Sequence, residues 1–63
     1  MNYTKDDCRE IALEIVSGEV VREETEIDFE RAAVEYKFTI KDNNNLLREV
    51  EVDTKLGTII DLD

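Results

Sequence analysis

The chain has 63 residues, enough for one domain around one small core, with little room left for an enclosed active site. Seventeen acidic residues against eight basic ones give a formal net charge of −9. Such a surface repels nucleic acid and anionic lipid, which are bound through basic patches, and suits cations or basic protein surfaces.

The acids are interleaved with apolar residues rather than gathered in blocks, so a folded domain over 1–63 is expected instead of a disordered tail. Histidine is absent, which removes the commonest general base and metal ligand. Cys8 is the single cysteine, so no intrachain disulfide can form. No apolar run is long enough to span a membrane and no signal-peptide pattern opens the chain. A complete chain of this kind is expected in the cytoplasm; the other expectation is a domain cut from a longer precursor.

The spacing predicts a helix over 5–17. Thr4 suits the N-cap, and Asp6 and Asp7 sit in the first turn, where the helix dipole favours acids. Cys8, Ile11, Ala12, Ile15 and Val16 follow the i, i+3, i+4 spacing of one buried face, with Leu13 at its margin. Gly18 is placed where a left-handed C-terminal cap is expected.

From Val20 the period changes to two. Val21, Glu23, Thr25, Ile27 and Phe29 share one parity; Val34, Tyr36, Phe38 and Ile40 share another; Leu46, Arg48, Val50 and Val52 make a third set. Ile59 and Leu62 close a short last run after a turn ending at Gly57. The fold class expected is α+β: one N-terminal helix packed on a three- to four-stranded antiparallel meander sheet. A turn centred on Glu30 and Arg31 pairs Ile27 with Val34, Thr25 with Tyr36 and Val21 with Ile40. Pairing Lys41 with Asn45 sets Tyr36 opposite Val50 and Val34 opposite Val52. Pairing Val52 with Ile60 sets Val50 opposite Leu62.

Single residues offer little chemistry. Asp53 and Gly57 read as turn residues, the acid capping and the glycine supplying positive φ. The run 42–45 lacks the glycine and the distal glutamate that a calcium loop needs at its sixth and twelfth positions, where Leu47 and Asp53 stand. Cys8 lies on the apolar stripe and reads as a buried, inert thiol. Tyr36 reads as core with its hydroxyl at the rim. The many carboxylates alternate outward with no pocket to raise a pKa, so neither a catalytic residue nor a cofactor or metal site is expected.

The segments ALEIVSGEVV (12–21), VEYKFTI (34–40) and EVEVDTKLGTII (49–60) resemble the PepSY domain. The likeness lies in an Ala- and Ile-bearing helix, Gly18 with Val20 leading into the first strand, Tyr36 centring the second, and Val52-Asp53 with Gly57 in the last hairpin. That family occurs in propeptides of thermolysin-like metallopeptidases and in bacterial cell-envelope proteins. The resemblance implies a non-catalytic protein-binding module that modulates or inhibits a peptidase, outside the cytoplasm if the chain comes from such a precursor.

On the strand registers above, Glu26 lies opposite Glu35, Glu35 opposite Glu51, and Glu51 opposite Asp61. These residues are the candidate binding row, all pointing away from the helix, with Asp28 and Asp53 beside it. The partner expected is a protein with basic residues rather than nucleic acid or membrane. Two other functions fit the composition: an acidic decoy that occupies a basic protein surface, and a structural domain of a larger chain.

Overall fold

The computed structural model describes residues 2–63. Its elements are α1 (Lys5–Ile15), β1 (Gly18–Asp28), β2 (Ala33–Asp42), β3 (Leu47–Asp53) and β4 (Ile59–Leu62). The strands form one four-stranded antiparallel sheet in the order β1-β2-β3-β4. The helix packs on β2 and β3. This is the α+β meander expected, with the fourth strand present.

The helix begins at Thr4 with a full capping box. The Thr4 hydroxyl accepts from the Asp7 N–H (3.1 Å) and the Asp7 carboxylate accepts from the Thr4 N–H (3.0 Å). It ends at Ile15, earlier than expected, because Val16 is already extended while its N–H still reaches the Ala12 carbonyl at 2.9 Å. Gly18 is not a left-handed cap; it opens β1. A Cβ there would collide with the Lys41 carbonyl and lie 2.9 Å from Asp42 Cα, so close approach to β2 makes glycine fit.

Cys8, Ala12 and Val16 form the buried line of the helix. Ile11 and Leu13 flank it, half-buried against the core. Ile15, expected to face the sheet, is 50% exposed. Each i, i+4 step turns the line by about 40°, and by Val16 it has rotated away from Ile15. Below the helix Phe38, Ile40, Val50 and Val52 are wholly buried, with Val20, Tyr36 and Ile59 around them. The Lys5 ammonium stands 5.6 Å from the centre of the Tyr36 ring.

Ile27 pairs with Val34 and Thr25 with Tyr36, as expected. Val20, not Val21, lies opposite Ile40, because a bulge takes up Val21 and resets the parity. The β2–β3 register differs from expectation by two residues: Phe38 faces Val50 and Tyr36 faces Val52. The cause is the loop. Asp42 N–H bonds the Leu46 carbonyl (2.9 Å), Asn45 N–H bonds the Asp42 carbonyl (3.0 Å), and Asn45 has φ 63°. That is a type I turn followed by a left-handed residue, a three-residue loop over 43–45 where pairing Lys41 with Asn45 places one over 42–44; moving the loop by one residue slides β3 by two. An even slide keeps every side chain on its face.

In the last hairpin Val50 faces Leu62 and Glu51 faces Asp61, as expected, but a register shift sets Val52 opposite Ile59 rather than Ile60. The turn chemistry is as expected. Gly57 has φ 66° and its N–H bonds the Asp53 carbonyl (2.9 Å), while the Asp53 carboxylate accepts from the Lys55 N–H (3.2 Å). The Thr54 hydroxyl donates to the Val34 carbonyl (2.7 Å), tying this turn to β2.

Candidate functional site

Alternation along each strand gives the sheet a second face, turned away from the helix. By register, Glu24 and Glu26 of β1, Glu35 and Lys37 of β2, Glu49 and Glu51 of β3, and Asp61 of β4 stand on it. Among the described residues no helix or strand packs on this face.

The expected row of Glu26, Glu35, Glu51 and Asp61 is broken in the middle. Glu26 faces Glu35 and Glu51 faces Asp61 as expected, but Glu35 faces Asp53, and Glu51 faces Lys37. The two-residue slide of β3 turns one straight row into two neighbouring ones: Glu26–Glu35–Asp53, and Glu24–Lys37–Glu51–Asp61.

Lys37 therefore sits inside the acidic patch, between Glu24 and Glu51. Its ammonium lies 3.7 Å from Glu26 Oε1. Its pKa is raised, first by the Glu26 charge and then by Glu49, with Glu24 and Glu51 adding less. Arg31 reaches back from the β1–β2 turn, 3.3 Å from the Glu35 carboxylate and 4.0 Å from that of Asp53. The i, i+4 spacing of Arg31 and Glu35 was the signal in the sequence for this contact, which periodicity alone does not assign outside a helix. Arg22 pairs with Glu24 at 3.1 Å.

The acids are packed closely enough to lose water. Glu35 is only 6% exposed. Glu26 Oε1 is buried with no hydrogen-bond partner among the described residues. The Glu51 carboxyl is pushed up, first by burial, then by the Glu26 charge, by the hydrogen bond its protonated form donates to Glu35 and by the Glu35 charge, with Lys37 opposing. The patch offers many acceptors and fixed negative charge, held on rigid strands. A shallow polar depression in the molecule lies elsewhere, between Gly18, Glu19 and the β2–β3 loop.

Other candidates fall to local roles. The Cys8 thiol is fully buried, and its pKa is raised first by burial and then by the charges of Asp7 and Asp53. The Asp42 carboxylate accepts from the N–H groups of Asn44 (2.8 Å) and Leu46 (2.9 Å), and these bonds, the Leu46 one first, pull its pKa down despite some desolvation. Among the described residues no three acidic or sulfur side chains meet in metal-holding geometry, and no helix is long and apolar enough to cross a membrane. On the helix side, Arg9 bonds Glu23 of β1 at 2.6 Å and Asp6 at 3.0 Å, a contact between elements that sequence periodicity gave no means to find. Comparison with family models, with curated proteins and with solved structures returned no match to this chain.

Proposed function

We propose that the chain is a non-catalytic protein-binding module that docks a basic protein surface on the bare face of its sheet, with Glu26, Glu35, Glu51 and Asp61 at the centre. The observation behind this reading is the crowding of carboxylates on one face of the sheet, where Glu35 is almost buried and Glu26 Oε1 has no hydrogen bond, its nearest cation being the Lys37 ammonium at 3.7 Å. Like charges directly opposite each other weaken a sheet. A partner bringing Lys or Arg relieves that repulsion, so the strain of the free domain favours the complex.

The likeness to PepSY domains supplies the finer part: the partner is a peptidase, which the domain restrains at the cell envelope. Calorimetric titration against a thermolysin-like metallopeptidase at rising salt tests both parts. Binding that inhibits the peptidase, weakens with salt and weakens again in Glu51→Lys is the expected result. Affinity indifferent to salt and to that reversal rules out the acidic face. The net charge of −9 favours one second reading, an acidic decoy: if the peptidase is ignored while a basic nucleic-acid-binding protein is held with the same salt dependence, the decoy reading replaces the peptidase.

A further inference from the structure

We propose that the free edge of β1, over 22–28, takes up an extended protein segment by strand addition, one that carries Lys or Arg at alternate positions with apolar side chains between them. This rests on the reading of the domain as a protein-binding module and assigns the mode and the sequence pattern of what it binds.

The direction of the free backbone groups follows from the ladder. Val34 accepts from the N–H of Thr54 (3.2 Å), and the Asp42 N–H bonds Leu46 (2.9 Å), so both residues turn their backbone toward β3. In an antiparallel ladder that direction alternates, so Tyr36 and Phe38 also point to β3. Their partners on β1, namely Ile27, Thr25 and Glu23, must then point their N–H and C=O groups out of the sheet, unpaired.

Both ends of the sheet have an open edge, but they are not equal. β4 runs only Ile59–Leu62 and has a register shift; a short, irregular edge is a poor template. Beyond the bulge at Val21, β1 runs without a register shift to Asp28, about 20 Å at roughly 3.3 Å per residue. The helix packs chiefly on β2 and β3 and meets this edge at Glu23, which Arg9 bonds at 2.6 Å; beyond Glu23 the β1 border of its face is open: Thr25 is exposed, Ile27 is 60% exposed, and Phe29 just past the strand 86%.

Charge selects the occupant. In an added antiparallel strand, residues opposite Thr25 and Ile27 form hydrogen-bonded pairs and lean toward the helix side, beside exposed apolar carbon. Residues opposite Glu24 and Glu26 form the other kind of pair, whose side chains come closest. Those positions call for Lys or Arg: Glu26 stands opposite Glu35, and the single partners Arg22 for Glu24 and Lys37 for Glu26 leave the face net acidic. A second copy of β1 is a poor occupant, since its own glutamates would meet these.

The test adds the acetylated peptide Lys-Val-Lys-Val-Lys-Val-Lys to isotope-labelled domain. Saturable shifts and slowed hydrogen exchange are expected at the amides of Glu23, Thr25 and Ile27, with affinity falling as salt rises. Thr25→Pro removes an outward N–H that the fold does not use and should weaken binding about tenfold or more. Glu26→Lys should do the same through charge, and it serves where the proline variant fails to fold. Equal binding of the peptide with Glu in place of Lys, or of both variants, overturns the proposal. Self-association of the domain through β1 overturns it as well. Shifts confined to Glu35, Lys37 and Glu51 overturn strand addition while leaving the acidic face as a docking site. No binding of this or any basic peptide near millimolar concentration (a free energy of about 4 kcal/mol) overturns both.

Discussion

On the helix side of the sheet Phe38, Ile40, Val50 and Val52 are wholly buried. One residue along the same strands, on the other side, stand Lys37, Thr39, Glu49 and Glu51. The two faces share one backbone and respond differently to the same change in pairing. Sliding β3 by two residues exchanges one valine for another beneath the helix. On the bare face it exchanges partners of different charge: Glu35 meets Asp53 instead of Glu51, and Glu51 meets Lys37. Hydrophobic burial is non-directional and scales with area, so it tolerates the slide. Charge interactions fall with distance and change sign with the partner.

If burial alone holds the helix side, the largest effects must come from it. Phe38→Ala should cost about 3–5 kcal/mol, a large share of the stability of so small a domain. A denaturant melt reads this directly, and a loss under about 1 kcal/mol would contradict the placement of the core. Ile15→Ala is the control on the same side: half exposed, it should cost less than about 1 kcal/mol. Between these lies Thr4→Ala. Losing the cap should cost about 1 kcal/mol, seen as a lower Tm together with reduced helical dichroism at the onset of melting.

The difference between the faces also decides what could be read in the amino-acid order. Strand parity is written in alternation, so the buried identity of Phe38, Ile40, Val50 and Val52 was legible, as were the Thr4 cap and the Gly57 turn. The bulge at Val21 was not, since Val20 and Val21 are equally apolar and either can face Ile40. The β2–β3 register was not, because a three-residue loop can be centred on Asn43 or on Asn44, and only the left-handed Asn45 distinguishes them. Every mistaken charge partner on the bare face descends from that one loop. The helix stripe failed at Ile15 for a related reason: spacing gives the face, while the rotation of the buried line along the helix depends on what lies beneath it.

On the bare face the expected effects are smaller and depend on salt. Lys37→Met removes the cation that sits among Glu24, Glu26 and Glu51. The variant should melt below the parent at low ionic strength, and the gap should narrow as salt rises. An equal gap at all salt concentrations would mean that the lysine stem matters through packing and its charge does not.

The smallest effect is the most specific. In the folded chain Glu51 holds its proton to a pH above the ordinary carboxylate value, through burial first and then Glu26 and Glu35. In the unfolded chain that proton leaves at the ordinary value. Between the two the folded state binds more protons, so this group's contribution is full at acid pH and is lost as pH rises through the folded value. Glu23 acts the other way: the hydrogen bond from Arg9 lowers its pKa, so its contribution is present above the ordinary range and lost as pH falls. Asp42 behaves like Glu23 through its bonds from Leu46 and Asn44. The parent's stability curve mixes both signs, and the difference between parent and Glu51→Gln isolates one of them. The two should agree in acid, where Glu51 is protonated. The glutamine variant should then gain as pH approaches neutral, by a few tenths of a kcal/mol and at most about 1, the scale of an opposed like-charge pair. A variant that loses stability at neutral pH would mean that attraction to Lys37 outweighs burial and the neighbouring acids. The bare face would then be balanced on its own, with no repulsion left for a basic partner to relieve.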